Sequence, residues 1–221
     1  MKTLFLLLLS GLSFHASAQA FSRPWNLDVH LMPLTYLDPL ARHRFGAEVS
    51  TVRWGVALDV GTGHGLTARG MGVASSYHFL EIRPQVKYYV PNSTSYPTRM
   101  YVGLEGFALQ SRATLHDGQY ERWEGRHYEG MIAFERADYH RQKWGVQALV
   151  GVQYTWARLR VDGYTGVGFR QRQTTFGHVL GPREEAAVND FDVLGHDRSG
   201  RAAGLNLALG VKVGYVVRQR F

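Results

Sequence analysis

The sequence predicts an all-β fold, an antiparallel up-and-down transmembrane β-barrel of eight strands, and three observations lead there. The last segment, Leu205 to Phe221, sets Leu205, Leu207, Leu209, Val211, Val213, Tyr215 and Val217 on one side of a two-residue repeat. The other side carries Asn206, Ala208, Gly210, Lys212 and Gly214. A long strand with an apolar outside and a small or polar inside is the pattern of a barrel strand facing lipid. Similar segments recur along the chain between Gly, Pro and Asp turn signals. The connections between them alternate short and long, as periplasmic turns and external loops do.

The elements follow in order. Residues 1 to 20 combine Lys2, an apolar run from Leu4 to Phe14 and small residues Ala16, Ala18 and Ala20. This is the layout of a cleavable secretory signal peptide, readable after Ala18 or Ala20 and too short for a spanning helix. Residues 21 to 221 then form one barrel domain. Its first strand is predicted at Asn26 to Met32, with Leu27, Val29 and Leu31 outward, ended by Pro33 and Asp38-Pro39. The second is Arg44 to Thr51 with Glu48 inward, and the third Trp54 to Gly61 with Asp59 inward. The fourth, Tyr77 to Tyr89, turns Glu81, Arg83, Gln85 and Lys87 inward, and Pro84 predicts a bulge or a missing ladder bond. The fifth runs from Met100 to about Gln110 with Glu105 inward. The sixth is predicted at Tyr128 to Arg136, with Glu129 and Glu135 inward, and the seventh at Trp144 to Trp156. The eighth is the terminal segment. A long connection, about Ala157 to Ala203, is left between the last two. Trp54, Trp144, Tyr88 and Phe221 are expected at one membrane boundary as an aromatic girdle.

Composition narrows the classes. The chain has no cysteine, which removes a lipid anchor and a disulfide framework. Its formal charge of +7 falls to +6 without Lys2. The arginines are scattered, without a basic stripe or RNA-binding motif, so anionic lipid headgroups are the expected contact and nucleic acid is not.

At this point the residues resemble the small outer-membrane barrels of Gram-negative bacteria, the OmpA/OmpX-like class. The specific pieces are the signal peptide, the strand rhythm and the ending GVKVGYVVRQRF. With Tyr215 and Phe221, that ending is similar to the signal by which the barrel assembly machinery recognises its clients. Gln219 departs from it. RFGAEVS and LEIRPQVKYYV also resemble stretches of this class. The resemblance implies an outer-membrane location and the fold without naming an activity.

Candidate chemistry is confined to the inward face. Glu48, Asp59, Glu81, Arg83, Lys87, Glu105, Glu135 and Lys212 are expected to form a lumen ionic network, because an eight-stranded interior is only wide enough for side chains and buried charges must be paired. Ser76 and His78 share an outward face and have the flavour of a nucleophile and base, reminiscent of lipid A deacylases. The order is reversed and no outward acid is visible to orient the histidine. Gly61, Gly63 and Gly65 read as a loop, since no helix follows to hold a phosphate. The histidines lack zinc spacing, and Asn92-Ser93-Thr94 reads as a chance sequon. No cofactor, metal or catalytic residue is therefore expected. The expected role is structural, with an extracellular ligand held by long loops. A lipid-modifying enzyme or a narrow channel is the alternative.

Overall fold

Alternation of side chains across the strand dictates the architecture: one face of nearly every segment is apolar and the other polar, and only closure satisfies every backbone group of such a sheet. The computed structural model describes residues 25–37, 43–65, 73–91, 97–124, 127–185 and 198–220. The predicted signal peptide, the Asn92–Thr94 sequon and Phe221 lie outside the described residues. The strands are β1 (Trp25–Leu31), β2 (His43–Thr51), β3 (Trp54–Gly65), β4 (Val73–Tyr89), β5 (Thr98–Glu124), β6 (His127–Trp156), β7 (Leu159–Leu180), β8 (Arg183–Glu185) and β9 (Gly200–Arg220). A 3-10 turn, Pro33–Leu37, follows β1.

All the strand pairings are antiparallel. The sheet runs β5-β4-β3-β2-β1-β9-β7-β6, and the β5–β6 pairing closes it into a barrel of eight strands. The short β8 only extends the outer end of β6, at Met131 to Ala133.

The strand count agrees with the sequence, but two of its members differ. The predicted sixth and seventh strands are one continuous β6, paired with β5 from Thr98↔Tyr154 to Glu124↔His127. The eighth place is taken by β7, in what was expected to be a long loop. It pairs with β6 from Trp156↔Leu159 upward and with β9 from Leu159↔Tyr215 to Thr174↔Gly200. The loop expectation failed because Gly163, Gly166 and Gly168 mask the alternation of Leu159, Val161, Thr165, Val167 and Phe169. Gly61, Gly63 and Gly65 likewise belong to β3, not to a loop. At Pro84 the β4–β5 ladder is interrupted between Ile82↔Ala108 and Gln85↔Glu105, with the register unchanged on either side.

The outward face divides sharply by height. A lower band is apolar on every strand, including Val56, Leu58, Ile82, Val86, Val102, Leu104, Val146, Val150, Leu207 and Leu209, the last two 81% exposed. Its lower rim carries Trp54 against Tyr88, at 5.0 Å and edge-on, with Tyr154, Trp156 and Tyr215. Phe45, Trp144 and Phe169 are exposed at its upper rim. Trp144 therefore does not share a boundary with Trp54 as expected, because it stands in the middle of β6, opposite Ala108 and Gln171.

Above the upper rim the outward residues turn polar, as at His78, Gln110, Arg112, His140, Gln171 and Gln173. From Gln110 to Glu124, β5 continues for about 50 Å along the strand at the usual rise, paired throughout with β6. This extension forms a blade. Its inner face packs Tyr77, Phe79, Leu115, Phe134 and Tyr139, with Tyr120 stacked on Phe176 at 4.2 Å.

Candidate functional site: the polar lumen

Inside the apolar band the barrel is filled by charge. Period-two alternation puts Asp28 and His30 of β1, Arg44 and Glu48 of β2, Asp59 of β3, and Glu81, Gln85 and Lys87 of β4 on the inner wall, all buried. Opposite them stand Glu105 of β5, Gln147 and Gln153 of β6, Arg160 and Asp162 of β7, and Asn206 and Lys212 of β9, also buried.

Three interlocked groups result. At the lower end Lys87 Nζ donates to Glu48 at 2.5 Å and also to Asp162. The Tyr89 hydroxyl donates to Glu48 and the Tyr101 hydroxyl to Asp162 at 2.8 Å. Arg160 pairs with Asp28. In the middle Lys212 bridges Asp59, at 2.7 Å, and Gln85, at 3.0 Å. His30 lies between Asp59, at 2.6 Å, and Asp28, at 3.3 Å. At the upper end Arg83 holds Glu81 at 2.8 Å and Glu105 at 2.6 Å. Arg44 shares Glu81, and Gln147 donates to Glu105 at 2.6 Å.

The charges nearly balance. Asp28, Glu48, Asp59, Glu81, Glu105 and Asp162 make six carboxylates against the five cations Arg44, Arg83, Lys87, Arg160 and Lys212. His30, with both ring nitrogens facing carboxylate oxygens, is placed to be the sixth donor group. A cavity of about 10 Å³ remains between Asp28, His30, Glu48, Arg160, Asp162 and Lys212, room for about one water. This is the packing expected of an eight-stranded interior.

The structure places Glu48, Asp59, Glu81, Arg83, Lys87, Glu105 and Lys212 in this network. Glu135 is a correction: it points outward and meets Arg183 at 3.5 Å on the surface. Glu129 is also outside, paired with Arg122 at 2.6 Å near the blade tip. The cause is a kink in the blade, marked by positive φ at Asp117 (51°) and His178 (46°) and by a register shift between β6 and β7. Beyond it Phe134, not Glu135, faces the aromatic cluster.

Sequence reasoning missed Asp28, His30, Arg44, Arg160 and Asp162. The first three sit at inward positions of strands that were recognised, so extending the alternation by one step would have found them. Tyr215 faces outward beside Arg158, whose guanidinium donates to its hydroxyl at 3.3 Å. Ser76 and His78 both face outward, but Ser76 donates to Thr114 at 3.3 Å and not to His78. Thr114 donates on to Asp138 at 3.4 Å, whose partner is His178 at 2.9 Å. No group of His, Cys, Asp and Glu suited to a metal occurs among the described residues.

The fold and lumen thus define a closed eight-stranded barrel with a charged, filled interior and an apolar exterior. No protein-family model matches the chain, and no curated protein does. Among solved structures it is similar to a major outer membrane protein from Thermus thermophilus, with 12% identity and a TM-score of 0.45, over 87% of this chain and 98% of that one.

Proposed function

We propose that this protein is a non-catalytic outer-membrane barrel that supports envelope structure and displays its blade outside the cell for binding. The observation that carries this reading is the inversion of the fold: isoleucine, leucine, valine and aromatic side chains face out between two aromatic rims, and carboxylates and cations face in. In water that surface would be an aggregation liability; in lipid it is the ground state. Tyr215, with Phe221, would present the chain to the barrel assembly machinery. The binding role expected of a loop at 157–203 moves to the blade, since residues 159–174 are barrel wall and 175–180 belong to the blade.

The lumen favours this reading over a channel. A solute would have to displace paired charges such as Lys87 and Glu48, each of which is held by the network around it. The lack of a Ser76–His78 bond favours it over a lipid-modifying enzyme. Reconstitution into planar bilayers is the test. Current is expected to stay at the bare-membrane level, with lipid A unmodified in cells that overproduce the protein. Stepwise, reproducible conductance would support the narrow channel instead, and an altered lipid A the enzyme.

A further inference from the structure

Just above the upper rim, cations outnumber carboxylates on the inner wall among the described residues. Arg141 and Lys143 of β6 and Arg170 and Arg172 of β7 all face inward. The register sets Lys143 directly opposite Arg172, and Arg141 opposite Thr174. Like charges directly opposed on neighbouring strands destabilise a sheet. Among the other inward neighbours at this level, Leu109 and Ser111 on β5 and Ala202 and Gly204 on β9 supply no carboxylate, and Glu81, which faces Leu109 from β4, is already shared by Arg44 and Arg83. Arg141, Lys143 and Arg170 make no ion pair among the described residues. Burial and the nearby Arg141, Arg170 and Arg198 push the Arg172 guanidinium down to about 10.

Two orphaned polar atoms lie at the same ladder step. Arg141 is 93% buried, being 7% exposed, yet its Nε has no hydrogen-bond partner, and the fully buried Thr174 Oγ1 has none either. A donor from a guanidinium and a hydroxyl, set beside Lys143 and Arg170, is the recognition chemistry of a tetrahedral oxyanion. Lys143 and Arg170 are only half-buried, so the layer is reachable from the mouth.

We propose that this layer, formed by Arg141, Lys143, Arg170 and Thr174, is a binding site for a phosphate-class oxyanion, either free or carried on a larger solute. The anion offsets the excess of cations at this level and meets the Arg141 Nε and Thr174 hydroxyl.

The test uses the full chain folded in detergent micelles, titrated calorimetrically with inorganic pyrophosphate and, in a second arm, with glucose 6-phosphate, against chloride at matched ionic strength. Pyrophosphate is expected to bind, with affinity falling at least tenfold in Lys143→Met/Arg170→Gln and in Arg141→Gln alone. In phosphate-free buffer the double variant is expected to resist urea better than the parent, because it removes unpaired like charges. A site of purely structural value would show the opposite sign. Binding of both probes identifies a phosphorylated solute as the class; binding of pyrophosphate alone identifies a free anion enclosed beneath the aromatic cluster. No binding beyond the chloride control, equal affinity in the variants, or a double variant less stable in phosphate-free buffer would each overturn the proposal.

Discussion

Lys87→Met is expected to lower stability by about 3–5 kcal/mol, the range for removing one partner of a buried ion pair. Lys87 is fully buried and is shared by Glu48 and Asp162, with its ammonium 4.6 Å over the Tyr101 ring. Methionine fills the volume but leaves two carboxylates in the lumen with tyrosine hydroxyls and, for Glu48, Gln153 at 3.4 Å and Arg160 at 3.9 Å. Urea unfolding in micelles, followed by tryptophan fluorescence, reads the loss as a lower midpoint. Arg83→Ala is expected to cost less, about 1–3 kcal/mol, because Arg44 still holds Glu81 and Gln147 still holds Glu105. An unchanged midpoint for Lys87→Met would mean that water reaches these carboxylates.

Gly151→Val is expected to be strongly destabilising although it adds no charge. A Cβ at Gly151 would lie 2.4 Å from Cζ of Tyr101, and one at Gly210 equally close to Cζ of Tyr164. Each glycine is thus the clearance for a tyrosine ring that crosses the lumen. Moving the Tyr101 ring also breaks its bond to Asp162. Overpacking costs about 1–3 kcal/mol, and a hydrogen bond to a charged group adds about 1.5–3 kcal/mol. Gly163 and Gly204 have nothing within 4 Å of such a Cβ. Alanine there should be neutral to within about 0.5 kcal/mol. Equal losses at Gly151 and Gly163 would show that strand propensity, not ring clearance, sets the cost.

The fold was legible where alternation is unbroken and apolar, as in β3, the lower half of β6 and β9. It failed where a strand leaves the apolar band. From Ala137 to Lys143 both faces of β6 carry polar residues, so the continuous strand read as two. In β7 the outward face includes Gly163 and Thr165, and the segment read as a loop. The same two failures hid part of the site. Arg160 and Asp162 were assigned to that loop, and Glu135 was turned inward by carrying a period of two through a kink that no residue type announces. Apart from Arg44, the lumen charges on β2 to β5 and on β9 were legible because each interrupts an otherwise clean apolar alternation.

A cysteine scan along β6 tests the membrane barrel and its blade most directly, since the chain has no native cysteine to interfere. Single cysteines are placed at the outward positions Tyr128, His140, Val146, Val150 and Tyr154, and intact cells are treated with a membrane-impermeant maleimide. Positions 128 and 140 are expected to label, and positions 146, 150 and 154 to remain unlabelled while the protein is folded. Labelling of Val146→Cys and Val150→Cys from outside, or protection of Tyr128→Cys and His140→Cys, would contradict a barrel embedded along its apolar band with the blade exposed.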